Sequence, residues 1–213
     1  MKNVNAVLAP ADEDIRRAVE AIRSGQVVAV PTETYYGLAV DPCNQTALQA
    51  LFTLKKRPQH KPILVLISRL EQLEKFASTI PLPYLSLIDC YWPGPLTLVF
   101  PARPEISDIL TGGTGTIGIR LTPHPVACRI IEQLGGPITA TSANLSSHEP
   151  ARTARQVKDY FGDRLGWIID GGPADEGLGS TVVNIVDHML CIERRGRVDL
   201  PGLPECAPSV KKR

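Results

Sequence analysis

Hydrophobic spacing along the chain switches repeatedly between two periods. In "DEDIRRAVEAIRSG", Ile15, Val19 and Ile22 recur at three- and four-residue intervals, which predicts an amphipathic helix closed by Gly25. The next stretch, "QVVAV", is continuously apolar and has the length of a buried strand. The same exchange follows in "QTALQALFTLKKRP", a helix with Leu48, Leu51 and Phe52 inward and Pro58 ending it, and "PILVLIS", a second buried strand. "LEQLEKFA" and "YLSLIDCYW" predict helices, and "PLTLVFP" and "TIGIRLT" predict strands. "PVACRIIEQLG" predicts a helix with Val126, Ile130, Ile131 and Leu134 inward, "PITATS" a short strand and "ARQVKDYFG" a last helix. "WIID", "TVVNIVD" and "LCIERRG" are late strands, close enough to pair antiparallel. Helices mixed with apolar strands predict a single α/β domain of two or three layers with a mixed sheet. It occupies residues 1–197. Residues 198–213 form a short, proline-rich tail expected to be extended or disordered, with no second domain after it.

Composition narrows the class. Apolar residues make up 43% and charged residues 21%, the profile of a soluble globular chain. The net charge is +1, so any anion-binding site must come from local clustering. No apolar run has transmembrane length, and "MKNVNAVLAPADEDI" lacks the layout of a signal peptide. The five cysteines, Cys43, Cys90, Cys128, Cys191 and Cys206, are far apart and form no CxxC pair. Neither a disulfide framework nor a zinc site is suggested, and a reducing cytoplasm is the simplest setting. The four histidines are scattered, which predicts no protein-held transition metal.

Candidate chemistry gathers at strand ends. "PTETYYGLAVDP" carries more hydroxyls than a plain turn needs. "LKKRPQHKP" places Lys55, Lys56, Arg57 and Lys61 between prolines, just before a buried strand. A solvated helix end is the plain reading of such a run. A rigid cationic turn at a strand edge also suits a polyphosphate, with Arg57 able to grip it through two parallel hydrogen bonds. "PITATSANLS" ends a strand in Ser142 and Asn144, which serve equally as a helix cap or as donors to an anion. "GGTGTIGIR" is neither a P-loop nor a dinucleotide fingerprint, but it puts Arg120 in an apolar strand, where a cation needs an anionic partner from protein or ligand. Ser180 and Thr181 follow a glycine-rich stretch, and "RRGR" begins at Arg194. Together these sets predict an anion-binding cleft. Without GxSxG or a Cys–His or Ser–His pair at family spacing, a covalent hydrolase is disfavoured.

"PTETYYGLAVDP", "LKKRPQHKPI", "WPGPLTLVF", "IGIRLTPHP", "PITATSANLS" and "STVVNI", in this order, resemble the YrdC-like family of threonylcarbamoyl-AMP synthases from about Gly25 to Gly196. The resemblance implies a twisted mixed sheet with flanking helices around a positively charged concave cleft. It also implies an activity: L-threonine, bicarbonate and ATP, the last with Mg²⁺, become threonylcarbamoyl-AMP and pyrophosphate. A downstream threonylcarbamoyl transferase complex then modifies the adenosine beside the tRNA anticodon. Carried over by position, Thr32, Thr34, Arg120 and Ser180 would hold threonine. Lys55, Arg57, Lys61, Thr116, Ser142, Asn144 and Arg194 would contact ATP, with Lys55 and Arg57 the catalytic pair. Glu33 is a tempting general base, but strand alternation could turn it away from Thr32 and Thr34. Leu66 stands where some members have histidine, Asn184 where aspartate is common, and Ser147 where glycine is common. Two rival readings remain. One is a carbamoyl-phosphate-dependent carbamoyltransferase relative. The other is a non-catalytic double-stranded RNA or tRNA binder, against which stand the low net charge and an aromatic content of 5%. Weak tRNA binding beside catalysis is compatible with the first reading; membrane association is not expected.

Overall fold

A computed structural model describes residues 10–175 and 177–206. The signal-free start expected for residues 1–9 and the tail residues 207–213 lie outside these. Helix α1 (Asp12–Arg23) carries Asp12, Glu13 and Asp14 in its first turn and Arg23 in its last, matching its dipole, and buries Ile15, Val19 and Ile22. Strands β1 (Val28–Val30) and β2 (Gly37–Ala39) form a hairpin around Pro31–Tyr36, so the hydroxyl-rich stretch is its connection; β2 itself was not marked by the periodicity. Next come α2 (Gln45–Lys55), whose first turn is capped by the Asn44 side chain, and β3 (Val65–Ile67). "LEQLEKFA" forms a 3-10 helix, Leu70–Lys75, in place of the expected α-helix. A second 3-10 turn, Leu82–Tyr84, leads into α3 (Leu85–Tyr91). The remaining elements are β4 (Leu96–Pro101), α4 (Asp108–Thr111), β5 (Thr116–Leu121), α5 (Pro125–Leu134), β6 (Ile138–Thr139), β7 (Thr141–Ser142), α6 (Ala154–Phe161), β8 (Trp167–Ile168), β9 (Thr181–Val186) and β10 (Met189–Arg194).

The strands make two mixed sheets, ordered β7-β2-β1-β8 and β10-β9-β4-β5-β3-β6. "PITATS" joins them. Ile138 and Thr139 pair with β3, Thr141 and Ser142 pair with β2, and Ala140 between them donates to the Leu64 carbonyl. The expected antiparallel pairing of late strands holds for β9 and β10, where Asp187 and His188 take the positive φ values of 49° and 65° that a tight hairpin requires. It does not hold for "WIID". The glycine-rich stretch after β8 separates it from β9, and β8 pairs parallel with β1.

Period-two alternation sorts the larger sheet. Leu96, Leu98 and Phe100 of β4, Ile117 and Ile119 of β5, and Val183 of β9 enter one apolar core with α2, α3 and α6. Leu66 of β3 points to the opposite face, into a second cluster built by α1 and α5 against Val28, Val30 and Ile138. Arg120 is Leu66's partner in the parallel β3–β5 register and lies on that opposite face. Beyond the cover of α1 and α5, this face opens as a cleft.

The tail reverses two expectations. Cys191 and Cys206 form a disulfide, and residues 198–206 are docked. Leu200 is buried, Ile192 N–H donates to the Pro204 carbonyl, Cys206 N–H donates to the Ile192 carbonyl, and Arg195 pairs with Glu205 at 2.8 Å. A return of the chain beside β10 leaves no mark in cysteine spacing, so the pairing was not legible. The cysteine pattern therefore gives no support to a reducing compartment. Closing a loop across 15 residues constrains the unfolded chain by about 3 kcal/mol in the chain-entropy account. We expect dithiothreitol to lower the melting temperature by several degrees, and Cys206→Ser to melt at that lower temperature with or without reductant. Identical melting of oxidised and reduced wild type would show that the tail adds nothing to the fold.

Candidate active site

The cleft encloses about 970 Å³, at the upper end of the range for small-molecule sites. The strand residues left over by the core alternation make its floor: Thr97 and Val99 of β4, Thr116, Gly118 and Arg120 of β5, and Val182, Asn184 and Val186 of β9. Gly118 keeps the floor low, since a Cβ there would stand 3.3 Å from Thr97 Cγ2. Thr32 and Thr34 reach in from the β1–β2 connection, Ser142 from β7, and Arg57 and Lys61 from the turn after α2.

The β1–β2 connection is held by its own hydroxyls. Thr32 Oγ1 donates to the Tyr35 carbonyl at 2.7 Å and accepts from Thr34 N–H at 3.2 Å, with the two threonine oxygens 3.1 Å apart. Tyr36 is buried; its hydroxyl donates to the Gly172 carbonyl and accepts from Gly171 N–H, and burial pushes it up to about 12. Tyr35 donates to the Gly177 carbonyl beneath the Arg152 guanidinium. The loop is thereby locked to Gly171, Gly172 and Gly177.

Glu33 turns away from the cleft, as strand alternation allowed, but not into solvent. Its Oε1 lies 3.0 Å from Arg120 Nε, and its Oε2 accepts from Thr122 Oγ1 at 2.7 Å. Arg120 donates further to Thr34 Oγ1 at 3.3 Å. Burial pulls the Arg120 pKa down and the Glu33 charge opposes that. The anionic partner required of an arginine in an apolar strand is thus, in the first place, this glutamate, which sequence reasoning had considered only as a base.

In the turn after α2, Arg57 donates to the carbonyls of Lys61 and Pro62, at 3.3 and 2.8 Å, which fixes its plane. Burial and the nearby Arg194 charge lower its pKa. Arg194 donates to the Ser180 carbonyl at 2.8 Å and to Ser180 Oγ at 2.9 Å; Ser180 Oγ in turn lies 2.8 Å from Thr97 Oγ1. Gly196 makes this junction possible, since a Cβ there would fall 2.3 Å from the Ser180 carbonyl carbon. A β-bulge between Ile192 and Arg194 brings Glu193 to the lining beside Arg194. Thr97 was missed from sequence; its signal was a lone hydroxyl at the cleft phase of "LTLVF".

Two of the expected contacts are placed differently. Lys55 is only 1% exposed and does not line the cleft. Its ammonium donates to the Ser142 carbonyl, to the Asn144 carbonyl at 2.8 Å and to Asn144 Oδ1 at 3.0 Å. Asn144 is also buried behind the wall, where Oδ1 accepts from Ser142 Oγ at 2.6 Å and Nδ2 donates to the His148 carbonyl. Lys55 and Asn144 therefore hold the loop that presents Ser142, while Thr32, Thr34, Arg57, Lys61, Thr116, Arg120, Ser142, Ser180 and Arg194 form the wall itself. Burial, with the Arg57 charge adding to it, lowers Lys55 to about 7. Ser147, three residues after Asn144, takes φ +72°, a conformation glycine adopts without strain. Among the described residues no group of histidine, cysteine and carboxylate side chains is arranged to hold a metal ion, and no helix is long and apolar enough to cross a membrane.

Residues 20–196 match the Sua5–YciO–YrdC family model, whose description reads "Telomere recombination". The chain belongs to this family. Among its Sua5–YciO–YrdC relatives, a threonylcarbamoyl-AMP synthase of Pyrococcus abyssi is 38% identical over 197 residues, covering 92% of this chain and 58% of that protein. A threonylcarbamoyl-AMP synthase of Idiomarina loihiensis is 37% identical over 175 residues, covering 81% of this chain and 94% of that protein. The crystal structure of P. abyssi Sua5 complexed with L-threonine superposes with a TM-score of 0.82 at 38% identity, over 85% of this chain and 54% of that one. The chain thus spans little more than half the length of the P. abyssi relative and nearly the whole length of the I. loihiensis one.

Proposed function

We propose that the cleft joins L-threonine, bicarbonate and ATP into threonylcarbamoyl-AMP with release of pyrophosphate. The observation that carries this reading is the division of one cleft into two ends. Thr32, Thr34 and the Arg120 fork lie at one end and suit a small amino acid, whose carboxylate takes the arginine N–H groups that Glu33 and Thr34 leave over. Arg57 and Lys61 lie at the other and suit a triphosphate, with Arg194, which feels the Arg120 charge and acts on Arg57, standing between the two. Four cationic side chains and one carboxylate, Glu193, line the cleft, which supports the reading of an anion site.

The reaction asks little of a protein nucleophile. The neutral threonine amine forms a C–N bond to bicarbonate with loss of water, or to CO2 with loss of a proton to solvent, and becomes a carbamate. A carbamate oxygen attacks the α-phosphorus, the bond to the bridging oxygen breaks, and pyrophosphate leaves. Alignment and neutralisation of charge on the leaving phosphates are what the wall supplies. Mg²⁺ enters as part of the ATP substrate. The product, a mixed anhydride, requires a transferase complex that passes its threonylcarbamoyl group to tRNA, and direct tRNA contact by this chain would be weak. We infer a cytoplasmic setting, where ATP and L-threonine are both at hand. Attachment of the tail through Cys191 and Cys206 then depends on the thiol poise there.

The deciding experiment is pyrophosphate release from ATP and Mg²⁺ with threonine and bicarbonate omitted in turn. Release that needs both, with a threonine-containing adenylate as product, is expected. Release stimulated by carbamoyl phosphate in place of both would transfer the site to a carbamoyltransferase. Absence of turnover with salt-sensitive RNA binding intact would make the cleft a binding face.

A further inference from the structure

The cations of the cleft differ in one respect that their shared lining hides. Arg57 is satisfied by carbonyls of its own turn, and Arg194 by the carbonyl and hydroxyl of Ser180. Neither these nor Lys61 has a carboxylate ion-pair partner among the described residues, although Glu193 stands near Arg194, with its Oε2 accepting from Asn184 Nδ2 at 3.3 Å. Arg120 alone of the four is ion-paired, to Glu33, with both side chains withdrawn from solvent at 4% and 13% exposure. Glu33 approaches the Nε edge of the guanidinium from behind the wall and does not itself line the cleft. Thr122 fixes the carboxylate from its other oxygen.

We propose that Glu33 is a specificity-determining residue: by cancelling the Arg120 charge without occupying its cleft-facing nitrogens, it makes that end of the site select a net-neutral zwitterion over an inorganic polyanion. This deepens, and rests on, the reading of the Arg120 end as an amino-acid subsite.

The physical need comes from proximity. Arg57, Arg194 and Arg120 are close enough for each to depress the ionisation of the next. Without Glu33, four cations offset only by Glu193 would form a strip on which phosphate or pyrophosphate could settle at the Arg120 end as well. An anion at Arg120 would block the amino acid. A fixed carboxylate at low dielectric removes most of the attraction for a net anion. A zwitterion keeps its carboxylate hydrogen bonds to the guanidinium, and its ammonium group feels no net repulsion. Discrimination built from a repulsive element is a recognised route to specificity.

The test is L-threonine binding to the full chain by calorimetry, without ATP, at increasing inorganic phosphate and constant ionic strength. In wild type, phosphate is expected to leave the threonine Kd unchanged within about twofold. In Glu33→Gln, which keeps the side chain's size and removes only its charge, phosphate should compete and weaken threonine by roughly tenfold at concentrations where wild type is indifferent. Glu33→Asp, which keeps the charge, should stay phosphate-insensitive. Competition by phosphate in wild type, or none in folded Glu33→Gln, overturns the proposal. If neither Glu33→Gln nor Glu33→Ala folds, Glu33 is a counter-ion of the core and the proposal also falls. No threonine binding to wild type at any phosphate concentration would instead remove the amino-acid reading itself, and this inference with it.

Discussion

Arg120→Ala is expected to lower kcat/KM for threonine by about 10²–10³-fold while leaving the KM for ATP near its wild-type value. The size follows from two charge-assisted hydrogen bonds to the substrate carboxylate at about 1.5–3 kcal/mol each, less what water recovers. A second loss accompanies it. Glu33 would keep its place 13% exposed with no cation beside it, and removal of one partner from a buried pair costs about 3–5 kcal/mol of stability. The alanine variant alone therefore mixes binding with folding. Arg120→Lys separates them. Lysine keeps the charge against Glu33 but loses the planar fork, so stability should largely return while threonine use stays impaired. Steady-state kinetics with threonine and ATP varied separately, beside thermal melts, check both. A threonine KM unchanged in folded Arg120→Lys and Arg120→Ala would empty this end of the cleft of its assigned ligand.

Lys55→Met is expected to reduce pyrophosphate release by about a hundredfold with little loss of stability. The two halves of that statement have different causes. The ammonium serves three acceptors, but two of them have another donor: Asn144 N–H reaches the Ser142 carbonyl, and Ser142 Oγ reaches Asn144 Oδ1. Only the Asn144 carbonyl is orphaned, at about 1–3 kcal/mol. Against this, the variant no longer buries a charge, a gain of similar size. The near-cancellation leaves the fold, while Ser142 loses one of the ties that set its position, and displacement of a positioning group by about 1 Å costs on the order of a hundredfold in rate. The pH dependence supplies an independent check. Lys55 has its ionisation lowered from 10.5 to about 7. Between these values the unfolded chain holds a proton that the folded protein has released, so stability rises with pH across that window. The cost of the buried charge is fully present below about 7. Lys55→Met should flatten that slope. An unchanged slope, or full activity in the variant, would show that the ammonium does not organise the Ser142 loop.

Most of the secondary structure was legible because burial is written in local periodicity. Ile15, Val19 and Ile22 sit on one face of α1, and the apolar runs became β1, β3, β4 and β5, since a 3.6-residue or two-residue period needs only near neighbours. The wall residues were legible because hydroxyls and cations at the ends of apolar strands have few structural uses, and the family's motifs keep their order. What the sequence could not determine depends on pairing across long separations. The division into two sheets turns on Ala140, where one short segment leaves β3 for β2. The partner of β8 is β1, more than a hundred residues earlier. The disulfide requires the tail to return beside β10. Above all, composition marks Lys55, Asn144 and Glu33 as polar but not by which side of the wall they approach. Only the tertiary structure puts Lys55 behind Ser142 and Glu33 behind Arg120, because the low dielectric of the core forces each buried charge to find partners that are distant in the chain.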